Sequence, residues 1–239
     1  MRRLLDLFML LLSFSLLLGV IACSSDNDTP TSSPTPELEG GEMSIKLPDP
    51  KYYSNVSLEE SLVKRRSVRD YTGEPITLEE ISQLLWAAQG ITADWGGRTA
   101  PSAGALYPLE VYVIVGNVKD LAAGVYRYDP KRHEVIKVAE GDMRFQLASA
   151  ALGQNPVRDG AIDLVFTAVY RRTTQKYGDR GIQYVHMEIG HAAQNVCLQA
   201  TVMGLGAVTI GAFYNEEVSR VLNLPKNEEP LYIIPVGKQ

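Results

Sequence analysis

An α+β fold is predicted for this 239-residue chain, and three observations predict it. The composition, 45% hydrophobic and 21% charged, is that of a globular protein rather than a disordered or fibrous one. Helix-start signals and strand-like apolar runs both occur along the chain. They do not alternate regularly, which argues against a doubly wound parallel sheet.

The elements follow in order. Leu7 to Ala22 holds only two serines and one glycine among apolar side chains, behind Arg2 and Arg3. Val20-Ile21-Ala22-Cys23 ends that run, and a polar Ser24-Ser25-Asp26 follows. A charged start, an apolar stretch and a small residue before the break are the marks of an export leader. The pattern resembles a bacterial lipoprotein signal, with Cys23 as the lipidated first residue of the mature protein. The competing reading is a membrane-spanning anchor, since sixteen apolar-run residues approach the roughly 17 to 25 that cross a bilayer. Both place the body outside the cytoplasm, and the two arginines leave either a general or a twin-arginine export route open. Ser24 to Gly41 carries Pro30, Pro34, Pro36 and a glycine pair with few apolar residues, so it reads as a spacer. The expected organisation is therefore a leader at 1–22, a tether and lead-in at 23–56, and one domain at 57–239.

Within the body, Ser57-Leu-Glu-Glu60 and Thr77-Leu-Glu-Glu80 have capping-box spacing and open two helices. The first runs to Arg65 or Arg66. The second carries Ile81, Leu84, Leu85 and Ala88 on one face and stops at Gly90. Strand-like runs follow at Glu110 to Val115, Val125 to Tyr128, Glu134 to Val138 and Ala161 to Arg171. Ile182 to Met203 is the longest helical candidate, closed by Gly204. Gly206 to Ala212 and Leu231 to Val236 read as buried strands, with a short helix near Glu216 to Leu222 between them.

The net charge of −5, with no basic stripe interleaved with aromatics, argues against a nucleic-acid partner. Cys23 and Cys197 are the two cysteines; lipid on the first leaves no disulfide framework, and Cys197 reads as a small core residue. His186 and His191 lie five positions apart, about 140° around a helix, which argues against a shared metal site.

Five constellations carry possible chemistry. Lys64-Arg65-Arg66-Ser67-Val68-Arg69 offers guanidinium groups and a hydroxyl that can converge on a phosphate, although cations at a helix end also suit its dipole. Ala100 to Pro108 is a loop of small side chains (Pro101, Ser102, Ala103, Gly104) whose backbone can approach a flat ligand. Its Ala-Pro-Ser-Ala-Gly also suggests a nucleophile elbow with Ser102 reactive, but no strand precedes it and no helix follows. Gly204 to Ala212 has glycines but runs from helix to strand, the reverse of a dinucleotide loop. Gly211 there suggests a close approach by backbone or ligand. Glu188-Ile-Gly-His191 with Gln194 and Asn195 is a polar row on the long helix. Lys176-Tyr177-Gly178, in a stretch read as a solvated loop, pairs two groups able to move protons.

Together these residues resemble the nitroreductase-like flavoprotein superfamily, in particular its SagB-type dehydrogenase branch. The resemblance rests on Arg65-Arg66-Ser67-x-Arg69, Pro101 to Pro108, Lys176 to Gly181, Glu188 to Asn195 and Gly204 to Ala207, in that order, and spans Ser57 to Gly237. It implies a central mixed sheet flanked by helices, a homodimer, and FMN at the subunit interface. The basic motif would meet its phosphate, while Pro101 to Gly104 and Ile210-Gly211 would flank the ring. It further implies alternating reduction and reoxidation by a donor and an acceptor, with Lys176-Tyr177 matching a catalytic pair of azoline-oxidising members and with a small molecule or peptide as substrate. Beyond the last strand only Lys238 remains to assist at the phosphate, and a site outside the membrane would call for a donor other than nicotinamide. Two alternatives stand beside this: a noncatalytic lipid-anchored protein that binds a flavin or another small ligand, and a Ser102 hydrolase.

Overall fold

The computed structural model describes residues 43–239, which form one compact unit. The leader, Cys23 and most of the tether lie outside the described residues. The strands are β1 (Ser44–Lys46), β2 (Leu109–Val115), β3 (Gly124–Asp129), β4 (Glu134–Glu140), β5 (Ile162–Ala168), β6 (Leu205–Ala207) and β7 (Glu229–Lys238). The helices are α1 (Leu58–Lys64), α2 (Leu78–Gln89), α3 (Arg144–Ala150), α4 (Asn155–Asp159), α5 (Arg171–Tyr177), α6 (Arg180–Val202) and α7 (Asn215–Leu222).

One seven-stranded sheet runs in the order β1-β4-β3-β2-β5-β7-β6. Every neighbouring pair is antiparallel. The mixed character expected from the resemblance survives only as isolated parallel bridges, Ser67 with Ala207 and Ile76 with Val118. The fold is α+β, as the irregular alternation of elements implies.

Alternation within strands explains the two-sided core. In β2, Val111, Val113 and Val115 join α2 and α6 in one cluster, while Tyr112 and Ile114 join α3, α4 and α7 in the other. A strand covered on both faces reads as an unbroken apolar run, and Leu-Glu-Val-Tyr-Val-Ile-Val is nearly that. β5 is buried along its whole length, Asp163 included. Both carboxyl oxygens of Asp163 lack a partner, and burial holds its pKa well above the usual carboxylate range despite the nearby Arg144.

Caps place the helices. Thr77 accepts from the Glu80 amide and Glu80 returns a carboxylate to the Thr77 amide, so the second capping box closes in full. At α1 only the Ser57 half forms. Gly204, at φ +69°, ends α6 in the left-handed region that glycine tolerates.

Four expectations change. The strand read through Arg171 stops at Ala168, and Arg171–Tyr177 is a helix rather than a solvated loop. The strand read through Ala212 stops at Ala207, with a single bridge at Ile210. α3 and α4 lack capping side chains, and Pro156 in the first turn of α4 is the one start signal the pair carries. Finally, β1 pairs with β4 and Leu47 is 2% exposed, so part of the lead-in is core. His133 lies in the turn before β4 and ties this segment down. Its Nε2 sits 2.8 Å from Ser82 Oγ and 3.1 Å from the Pro48 carbonyl oxygen.

Candidate active site

Beyond α1 the chain leaves the helix at Arg65 and runs beside β6. The Val68 amide donates to the Ala207 carbonyl at 3.0 Å. Gly206 permits this approach, because a β-carbon there would lie 2.6 Å from Val68 Cγ1. Arg66, Ser67 and Arg69 are exposed and Arg65 is half-buried. Lys64 is paired with Glu60 at 2.5 Å, but among the described residues no ion pair engages Arg65, Arg66 or Arg69. Arg66 donates only to the carbonyls of Val63 and Arg65.

Ile210 follows Ala207 by three residues, at most about 10 Å of chain. It exchanges backbone hydrogen bonds with Ile233 at 2.8 and 3.0 Å. The basic strap and the Ile210-Gly211 turn thus share one sheet edge. Gly211 is exposed, and a β-carbon there would meet only the Tyr232 ring, at 3.6 Å, so among the described residues no backbone makes the close approach read from the sequence.

Pro101 to Gly104 lies elsewhere, between α6 and α5. The turn Ala103–Ala105 places Gly104 at φ +63°, and Ala105 and Tyr107 are also left-handed at +54° and +45°. Such backbone persists only when its surroundings over-determine it. Here Ser102 Oγ accepts from the Tyr107 amide at 2.9 Å, Arg172 donates to the Tyr107 carbonyl at 3.1 Å, and the Arg98 guanidinium sits 4.4 Å above the Tyr107 ring. Asn195 of α6 donates to the Thr99 carbonyl at 3.3 Å. Ser102 is therefore part of the loop's internal bracing, with no strand before it, and the nucleophile-elbow geometry does not form.

Lys176 and Tyr177 end α5 and face this loop. A β-carbon on Gly104 would lie 2.7 Å from Tyr177 Oη and 3.0 Å from Lys176 Nζ. Lys176 Nζ is 5.3 Å from the Tyr177 ring, which meets Tyr184 of α6 edge-on at 5.1 Å. Lys176 is exposed and Tyr177 half-buried, so the pair stands at the surface beside the loop.

Behind the loop lies Glu188, 2% exposed, with Oε1 unpartnered. Burial pushes its pKa up to about 7, against the pull of the Ser102 hydroxyl and the Arg98 guanidinium. Arg98 drew no attention in the sequence because a lone arginine after two glycines carries no local signal. Glu188 stood in the polar row on α6, but its burial depends on distant segments. His186, on the same helix, has its Nε2 2.7 Å from Tyr170 Oη.

Within one chain the site residues thus form two groups: the basic strap with Ile210-Gly211, and the small-residue loop with Lys176, Tyr177 and Glu188. No hydrogen bond joins the groups among the described residues. A surface strap of uncommitted cations and a glycine loop flanked by Lys176 and Tyr177 give this α+β protein a candidate small-ligand site.

The chain belongs to the nitroreductase family, whose profile matches residues 62–238. A protein of Methanocaldococcus jannaschii that bears a nitroreductase name is 48% identical over 200 residues, which cover 84% of this chain and 98% of that one. The solved Escherichia coli microcin synthetase McbBCD complex, with truncated pro-MccB17 bound, contains a similar chain. It superposes with a TM-score of 0.65 at 26% identity, covering 89% of this chain and 84% of that one. An NADPH-flavin oxidoreductase of Vibrio harveyi is 26% identical over 186 residues, which are 74% of this chain but 64% of the relative.

Proposed function

We propose that this protein is an FMN-dependent oxidoreductase of the SagB-type branch, moving two electrons between a donor and an acceptor. The observation that carries the reading is the Pro101–Gly104 loop, whose Gly104 presents bare backbone to the ends of the Lys176 and Tyr177 side chains. The residues fit the cofactor. Among the described residues Arg65, Arg66 and Arg69 have no carboxylate partners, and planar guanidinium forks suit a phosphate. Pro101 to Gly104 and Ile210-Gly211 present backbone and small side chains suited to a flat ring. A bound FMN would supply hydride and single-electron chemistry. The chain's own groups would hold the phosphate, exclude side chains from the ring face, and move protons at Lys176 Nζ and Tyr177 Oη.

The family resemblance carries with it a homodimer that holds FMN at the subunit interface. The exposed apolar Leu62 and Val63 on α1 and Met187 on α6, at 51%, 71% and 52%, suit such a contact. The substrate class is a small molecule or peptide. The leader supports a location on the outer face of the cell membrane, anchored through Cys23, with a quinol or a partner protein as the donor.

A visible spectrum of the purified full chain tests the reading. Flavin absorbance, or stoichiometric uptake of added FMN, is expected; neither one appearing would overturn it. Arg65→Ala and Arg69→Ala should each weaken FMN binding by about 1.5 to 3 kcal/mol, or roughly tenfold or more in Kd. Unchanged affinity in both variants would move the phosphate away from the strap.

A further inference from the structure

Lys176 and Tyr177 do not stand alone beside Gly104. Lys176 Nζ lies 5.3 Å from the centre of the Tyr177 ring, that ring meets Tyr184 of α6 edge-on at 5.1 Å, and the Arg180 guanidinium lies 5.7 Å from the centre of the Tyr184 ring. These side chains form one continuous row, with two rings in the middle and a cation at each end. The Lys176 end touches the loop, since a β-carbon on Gly104 would lie 3.0 Å from Lys176 Nζ and 2.7 Å from Tyr177 Oη. Both rings are half-buried, which seats them against the body, whereas both cations are exposed.

Neither cation is neutralised. Among the described residues Lys176 and Arg180 make no ion pair, although Asp179 adjoins Arg180. Arg172 of the same helix as Lys176 is, by contrast, held by Glu110 at 2.6 Å. Helix electrostatics accounts for only one of the two. Lys176 lies in the last turn of α5, where a cation suits the dipole. Arg180 opens the 23-residue α6, in a first turn that holds no acidic residue, and there the dipole repels a cation. The ends of the row also differ in chemistry. A lysine can give up a proton, the work assigned to Lys176 above. An arginine stays charged, and its planar fork matches the two oxygens of a carboxylate. One exposed guanidinium suits a singly charged group, whereas the several of the basic strap suit a phosphate.

We propose that Arg180 is a specificity-determining residue that binds a carboxylate of the substrate. The apolar part of the substrate lies along Tyr184 and Tyr177, and its reacting end reaches Lys176 beside the loop. The substrate class is therefore an aromatic or otherwise apolar carboxylate, either a free small acid or an acidic side chain of a peptide. The inference rests on the flavin reading of the loop and narrows the substrate that this reading leaves open.

Calorimetric titration of the full chain, loaded with FMN, tests this with two matched pairs of probes. One pair is 4-nitrobenzoate and its uncharged methyl ester. The other is a dipeptide of phenylalanine and aspartate, blocked at both ends, and its asparagine counterpart. In the wild type the acid of at least one pair should bind roughly tenfold more tightly than its neutral partner. The pair that shows the preference tells a free acid from a peptide. In Arg180→Gln the ratio should fall to about one, and Arg180→Lys, which keeps the charge without the fork, should lie between. Equal affinities within both pairs, no binding of any probe, or a preference that survives in Arg180→Gln would overturn the role of Arg180. Stoichiometric FMN in the same sample would then leave the flavin reading intact. A wild-type chain that binds no FMN would overturn both.

Discussion

Gly104 shows how one missing side chain shapes the site. Its φ of +63° is a conformation that costs an L-residue about 1 kcal/mol or more, and a methyl group there would press on Tyr177 Oη and Lys176 Nζ. Both of those are ends of side chains that can move, so Gly104→Ala should fold. We expect a loss of about 1 kcal/mol in urea unfolding together with a much larger fractional loss of flavin-dependent turnover; equal losses would deny the loop a special role. Asp163 makes a different prediction. Its folded-state pKa is raised, so the native chain keeps a proton that the unfolded chain releases at ordinary carboxylate pH. Its contribution to stability is therefore present below the unfolded pKa, about 4, and is lost as pH rises toward the folded value. Asp163→Asn should match the wild type at low pH and exceed it at neutral pH in urea melts. Identical pH profiles would show that Asp163 is not protonated in the fold.

Among the elements, α2 is the best specified. Glu80 serves the Thr77 amide with one oxygen and Lys238 of β7 with the other, at 2.5 Å, so a local cap is also a clasp on the last strand. Thr77→Ala should cost about 1 kcal/mol, lowering Tm by roughly 2 to 4 °C in a body of this size. Ser57→Ala, at the half-formed and exposed cap of α1, should cost less; the reverse order in calorimetry would contradict this ranking. α2 was legible because a cap spans four residues and an apolar face spans one helix. α5 was not, because Arg-Arg-Thr-Thr-Gln-Lys-Tyr has no capping side chain and no apolar period. Its helix is held by Thr173 buried against the body and by packing on α6, where Gly181 admits the Thr174 backbone. β1 was hidden for the opposite reason: three residues near a Pro- and Ser-rich tether become a strand only because β4 offers an edge.

At the level of the whole molecule, the pieces that sequence motifs grouped as one site form two sets with no hydrogen bond between them among the described residues. In the proposed reading a bound flavin would span both. The proposed anchor is tested separately: with Cys23→Ser, the protein should leave the membrane fraction for the soluble one while its spectrum is unchanged. Persistence in the membrane fraction would favour a spanning leader. Among the described residues no helix is long and apolar enough to cross a membrane. Residue order alone was enough for the α+β class, the capping boxes, the glycine that ends α6 and the ordered motifs that mark the nitroreductase family. Each of these depends on neighbours a few positions apart or on a pattern of residue types. The all-antiparallel sheet, the facing of Lys176 and Tyr177 onto Gly104, and the burial of Asp163 and Glu188 emerged only from the folded chain. Strand pairing, contact and desolvation join residues far apart along the chain, and no local pattern carries their free energy.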